Sequence, residues 1–233
     1  MENYNWLRAN MGFDVDYELG RSLSSAVETK RKKIYDRCRR YVLKVLCEKD
    51  DGELMGFFNG FLYCGTAPLL LTTGHIVGGA TKYFASFYDG EELQAKCEMT
   101  LLRFGGEAQS GDTATKEPDV AVFRVEGNIP SFPPPPFGAS TTVGDTAYII
   151  GYKGREDPQL TLSEGLVSYV GLSDILTTVF ADKGYSGCPV FNSYGFVIGM
   201  VKGCDGNTIK QVSFGGGCPD IAMLAVAEWI PRI

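Results

Sequence analysis

Among its 233 residues this chain has a single histidine, His75, so one residue must supply any imidazole chemistry. No Cys-x-x-Cys pair occurs. The seven cysteines (Cys38, Cys47, Cys64, Cys97, Cys188, Cys204 and Cys218) are odd in number and scattered, which predicts free, mostly buried thiols in a reducing compartment rather than a disulfide framework. A basic excess is missing too. The formal net charge of −6 argues against general affinity for a polyphosphate, so nucleic acid is not an expected partner. No stretch approaches the ~20 apolar residues of a membrane span. Met1 to Gly20 lacks the charged start and apolar run of a secretory leader. These absences lead to the expectation of a soluble, intracellular protein, cytoplasmic and/or nuclear, with no membrane partner, no metal and no cofactor.

What is present is a hydrophobic content of 44% and many short apolar runs. Strands are expected over Tyr41–Leu46, Phe57–Tyr63, Leu69–Thr72, Lys82–Tyr88, Leu93–Leu102 and Val120–Val125. Further strands are expected over Thr146–Ile150, Gly165–Val170, Leu176–Phe180, Val190–Phe191 and Val197–Val201. Short strands with turn signals between them mean a β sandwich or barrel rather than β-α units. Ser22 to about Arg40 reads as a helix capped by Ser24 or Ser25, with Lys30-Arg31-Lys32-Lys33 on one face. That face is either solvated, an adaptor laid across the barrel, or a patch for nuclear import or an anionic partner. Phe104 to Glu117 reads as a surface loop. Pro133 to Pro136 must leave regular structure and read as a linker, with a docking ligand as the rival. After Lys202 the chain is expected to loop through Gly215-Gly216-Gly217 into a last helix, Asp220 to Ile230.

The stretch with chemical content is Gly184-Tyr185-Ser186-Gly187-Cys188-Pro189, a serine between glycines running into an apolar strand. A serine hydroxyl needs a neighbouring base and N–H groups aimed at a developing oxyanion. His75 follows Leu69-Leu70-Leu71-Thr72-Thr73-Gly74, and Asp119 precedes Val120-Ala121-Val122-Phe123. The chain order His, Asp, Ser fits a double-barrel protease, not a subtilisin or an α/β-hydrolase.

In detail the sequence resembles trypsin-fold serine proteases of the Deg, or high-temperature-requirement, branch. Gly60-Phe61-Leu62 with Leu71-Thr72-Thr73-Gly74-His75-Ile76-Val77 is similar to the entry to that family's catalytic histidine. Asp119-Val120-Ala121-Val122, Val143-Gly144-Asp145 through Ile150-Gly151, Ser163-Glu164-Gly165-Leu166-Val167-Ser168 and Gly195-Phe196-Val197-Ile198-Gly199 match its later motifs in order. The resemblance implies an all-β fold of two six-stranded antiparallel barrels with an N-terminal and a C-terminal helix. It divides the chain into an extension (1–40), a first barrel (41–130), a linker (131–140) and a second barrel with the last helix (141–233).

For function it implies a serine endopeptidase with a His75-Asp119-Ser186 triad and an oxyanion hole from Gly184, Tyr185 and Ser186. A pocket bounded by Phe180, Lys202, Gly203 and Cys204 would bind the residue before the scissile bond. With no acid at the pocket base, a small or medium apolar side chain is expected there rather than arginine or lysine. The partner would be a protein or peptide substrate, with homo-oligomers allowed and no PDZ domain after the last helix. Two departures stand out: Tyr185 occupies the position of the trypsin aspartate that receives a new N-terminus, and Cys188 replaces a glycine. Cys188 reads as a packing thiol, yet its nearness to the site makes oxidative or alkylating inactivation an expectation. A catalytically silent barrel serving as a binding scaffold is the alternative reading, and an esterase is a third.

Overall fold

The alternation of apolar and polar residues closes into two six-stranded antiparallel barrels. The structure, a computed structural model, describes residues 14–64, 68–77, 80–105, 119–129, 135–137, 140–153, 159–171, 174–181, 184–205 and 208–213. The first barrel comprises β1 (Val42–Glu48), β2 (Leu54–Cys64), β3 (Pro68–Thr72), β4 (Lys82–Asp89), β5 (Glu92–Phe104) and β6 (Ala121–Val125). Its strands run in the order β1-β2-β3-β6-β5-β4 and close through the β1/β4 pairing. The second comprises β7 (Thr146–Tyr152), β8 (Leu160–Val170), β9 (Asp174–Thr177), β10 (Pro189–Asn192), β11 (Val197–Asp205) and β12 (Thr208–Ser213). It closes through β7/β10.

The period of two decides which residues enter each core. On β1 and β2, Leu43, Val45 and Leu62 point into the first barrel, where they meet Leu70, Phe87 and Phe123. Each such side chain contributes on the order of 1.5–3 kcal/mol by leaving water. Residues of opposite parity on these strands, Lys44, Asn59 and Phe61, are equally buried although they face out of that barrel. The second barrel covers Asn59 and Lys44: Asn59 bonds to Tyr152 of β7, and the Lys44 ammonium lies over the rings of Phe57 and Tyr152. For the same reason β7 is buried on both faces from Ala147 to Tyr152. Ala147 and Ile149 join Val190, Ile198 and Val201 in the second core. At the linker's end, Phe137 packs on Phe61 and Tyr63, and the Val197 N–H donates to the Pro136 carbonyl.

Two sequence expectations change. The N-terminal helix, α1, spans Asp14–Cys38, so Ser24 and Ser25 lie inside it rather than capping it; the Ser25 carbonyl accepts the Thr29 hydroxyl at 2.8 Å. The glycine at 20 hid this start. The second change is β12, which the sequence reading left as loop. Ile209 and Val212 are three apart and give no alternation, yet the strand pairs with both β11 and β9. Its signal was the two-residue Gly206-Asn207 spacer after Asp205, a hairpin composition.

The expected helix Asp220 to Ile230 lies outside the described residues, as does most of the loop from 104 to 117. The chain divides between Arg37 and Cys38 into two compact units, and both barrels belong to the second. Among the described residues no helix is long and apolar enough to cross a membrane.

Candidate active site

Strand pairing brings the histidine and the aspartate together. β3 and β6 are antiparallel with Thr72 opposite Ala121, so the chain leaving β3 and the chain entering β6 share one end of the first barrel. His75 sits there in a 3-10 turn, Gly74–Val77, and Asp119 lies two residues before β6. The turn passes so close to the neighbouring loop that a Cβ on Gly74 would stand 1.6 Å from the Gly105 carbonyl oxygen. Only glycine fits that approach.

Asp119 is buried, with 3% of its side chain exposed against 43% for His75. A buried carboxylate must be fully bonded. Its Oδ1 accepts the backbone N–H of His75 at 2.7 Å and its Oδ2 faces His75 Nδ1 at 2.8 Å. Because a carboxylate only accepts, Nδ1 carries the proton and Nε2 is left as the acceptor. Nε2 lies 3.2 Å from Ser186 Oγ, which belongs to the loop entering β10 of the other barrel. The Phe58 ring stands roughly perpendicular to the imidazole, with the ring centroids 6.5 Å apart.

The serine turn is held from three sides. Below it, Tyr185 is inserted into the second core, and its hydroxyl meets Thr161 Oγ1. Thr161 spends its own proton on the Gly151 carbonyl, so the phenol is the donor in that pair. A neutral phenol thus anchors the turn at the position where secreted trypsins have an aspartate that receives a new N-terminus. Cys188 packs its sulfur against Gly151, and a Cβ at 151 would lie 2.0 Å from it. From the side of the first barrel comes Asn59. Its Nδ2 donates to the carbonyls of Gly184 (2.7 Å) and Tyr152 (3.1 Å), and its Oδ1 accepts the Tyr152 N–H at 2.7 Å. Its backbone N–H donates to the Ser186 carbonyl at 2.9 Å. The sequence reading missed this residue, whose only signal was one amide inside the aromatic run Phe57-Phe58-Asn59-Gly60-Phe61.

Two glycines of the turn have positive φ, Gly184 at 100° and Gly187 at 82°. Gly184 lies under the Phe57 ring. Among the described residues, neither its N–H nor that of Ser186 is given to a backbone carbonyl. Gly187 is the tightest point between the barrels, since a Cβ there would stand 1.9 Å from the Asn59 carbonyl oxygen. Gly187→Ala is therefore expected to lose roughly 3 kcal/mol from strain plus overlap, a drop in Tm of about 6–12 °C for a chain this size. Gly90→Ala, at φ 63° with open space around it, pays strain alone. Thermal unfolding followed by circular dichroism compares them, and equal losses would refute the contact argument.

The other expected site residues are less concentrated. Phe180 follows β9 and is 66% exposed, so its ring fills no closed pocket. Lys202 is half-buried at a bulge in β11, where the register with β12 shifts between Val201 and Gly203. Gly203 and Cys204 continue the same strand. The expectation of a vulnerable Cys188 does not hold: the residue is fully buried, and burial pushes its thiol well above the ordinary value. Burial likewise pushes Cys47 up to about 12. Among the described residues Cys38, Cys47, Cys97 and Cys188 form no disulfide. No group of three metal-ligating side chains occurs among the described residues.

Known proteins are similar to this chain in sequence and fold over most of its barrels. Residues 58–200, more than half of the chain, match the trypsin-like peptidase domain. The chain is 29% identical over 162 residues to the putative serine protease HhoA of Synechocystis sp.. It is 32% identical over 141 residues to a probable periplasmic serine endoprotease, DegP-like, of Pseudomonas savastanoi pv. phaseolicola. The matches cover 64% and 56% of this chain but only 37% and 26% of those relatives. In fold it is similar to Deg5, with a TM-score of 0.63 at 19% identity over 78% of this chain and 88% of that one. It is also similar to the serine endoprotease from Yersinia pestis, with a TM-score of 0.67 at 16% identity over 87% and 67%. One expectation is overturned here. The intracellular location, cytoplasmic and/or nuclear, was inferred from a missing leader and scattered cysteines, whereas the Pseudomonas relative is named as a periplasmic enzyme.

Proposed function

The chain belongs to the trypsin-like peptidase domain family, and from that premise we propose that it is a serine endopeptidase working through His75, Asp119 and Ser186. The contact chain from Asp119 Oδ2 through the imidazole to Ser186 Oγ, at 2.8 and 3.2 Å, is the observation that supports this reading most directly. Residues 41–130 would form the domain that brings the base, and residues 141–233 the domain that brings the nucleophile.

In the proposed mechanism Ser186 Oγ attacks the peptide carbonyl while Nε2 of His75 takes its proton. Asp119 keeps the other ring nitrogen protonated and stabilises the imidazolium that forms. The tetrahedral oxyanion would be received by the N–H groups of the Gly184-Tyr185-Ser186 segment. His75 then gives its proton to the leaving amine, and water reverses the sequence on the acyl-enzyme. The residue before the scissile bond, small or medium and apolar, would lie along β11 near Lys202, Gly203 and Cys204, with Phe180 at the rim.

The test is an active-site probe. A fluorophosphonate is expected to label the folded protein at Ser186, mapped by mass spectrometry, and His75→Ala should cut the labelling rate by at least about 1,000-fold. A folded wild type that resists the probe would favour the silent-scaffold reading.

A further inference from the structure

Asn59 does more than a buried strand residue needs to. Its side-chain amide pairs with both peptide groups of Tyr152, as a neighbouring strand would, and still has one donor left. That donor goes to the Gly184 carbonyl at 2.7 Å, while the Asn59 backbone N–H holds the Ser186 carbonyl at 2.9 Å. The Asn59 carbonyl in turn accepts the Thr72 hydroxyl at 2.7 Å, which ties the residue to the strand leading into His75. The amide's orientation is not ambiguous, because Tyr152 N–H must meet an oxygen and two carbonyls must meet the nitrogen.

Two carbonyls of the serine turn are thus drawn toward the first barrel by one residue. In a trans peptide the C=O and N–H point in opposite directions. With the Gly184 carbonyl turned toward Asn59, the Tyr185 N–H of the same peptide turns away from it. With the Ser186 carbonyl held as well, the rotation of the intervening segment is fixed at both ends. We propose that Asn59 is the positioning residue of the oxyanion hole, holding the 184–186 segment with its amides presented to the substrate carbonyl. The proposal rests on the serine-endopeptidase reading of the same site.

The test uses the full chain and two variants. Asn59→Asp keeps the acceptor for Tyr152 N–H but sets an oxygen against the Gly184 carbonyl. Asn59→Ser is neutral and too short to reach it. Rates are measured per active site, titrated with a burst substrate, on a peptide ester and a peptide amide. Both variants are expected to lose about 100- to 1,000-fold in kcat, the scale of a lost oxyanion donor, with KM within about threefold. Their affinity for a peptidyl trifluoromethyl ketone, whose hemiketal oxygen mimics the oxyanion, should fall in the same proportion. An Asn59 that merely holds the barrels together would move Tm and the titratable fraction while leaving kcat per site and ketone affinity intact, and that outcome overturns the proposal. Failure of both variants to give any folded, titratable protein overturns it too, because the role is then structural. An active wild type with unaffected variants sinks this proposal alone, whereas a wild type inert to substrate and probe sinks the endopeptidase reading and this one with it.

Discussion

Ser186→Ala is expected to lower kcat on a peptide or ester substrate about a millionfold, the scale on which a serine protease loses its nucleophile, leaving a small residual rate above that of water. The reason is local. Ser186 Oγ is the hydroxyl that Nε2 of His75 reaches, at 3.2 Å, and His75 is the only histidine in the chain, so no second pair can take over. Groups that act as one unit are not additive. His75→Ala should therefore cost nearly as much as Ser186→Ala, and the double variant little more than either. Because Ser186 is partly exposed and, among the described residues, its hydroxyl contacts only the imidazole, Ser186→Ala should keep the Tm within a few degrees. The measurement is steady-state turnover of the three variants at equal folded concentration. Losses that multiply in the double variant would mean that serine and histidine act separately, against the proposed relay.

The second large effect is expected at Asp119. Asp119→Asn should lower kcat about 10,000-fold with the fold intact, the known scale of a wrongly set imidazole. The backbone N–H of His75 can only donate, so it claims the oxygen of the new amide in place of Oδ1. The amide nitrogen is then forced against Nδ1, where it too can only donate. His75 must accept at Nδ1 and carry its proton on Nε2, facing Ser186 with a hydrogen where a lone pair is required. Two bonds at 2.7 and 2.8 Å thus convert an isosteric change into a tautomer change. Turnover assays with nitrogen NMR of the single imidazole give the check: the neutral ring should carry its proton on Nδ1 in the wild type and on Nε2 in the variant. A variant that keeps wild-type turnover would remove Asp119 from the mechanism.

How much of this was legible beforehand follows the length scale of each feature. Strands such as β3 and β6 announce themselves because one face meets a core, and an alternating or continuous apolar run records that within five residues. His75, Asp119 and Ser186 stood out because each lies beside such a run, in an order only one architecture uses. β12 did not, since its place is dictated by its partners β11 and β9 rather than by its own pattern. Asn59 was invisible for a related reason. Its partners, Tyr152, Gly184 and Ser186, stand on another barrel about a hundred residues away, and nothing local marks an amide whose bonds are that distant. The start of α1 was misplaced because serines at 24 and 25 mimic a cap while a glycine at 20 mimics a break. The cellular location was misjudged because composition reports chemistry, whereas an address is read by other machinery.

The sulfur of Cys188 and the bare α-carbon of Gly151 share one allowance of space, with 2.0 Å between Sγ and the place a methyl would take. During sequence drift these positions therefore behave as one locus. A side chain can appear at 151 only in a lineage that has first surrendered the thiol, and even then it must press on the Asn59 amide, whose Oδ1 would lie 3.2 Å from the new Cβ. Homologues should never carry bulk at both.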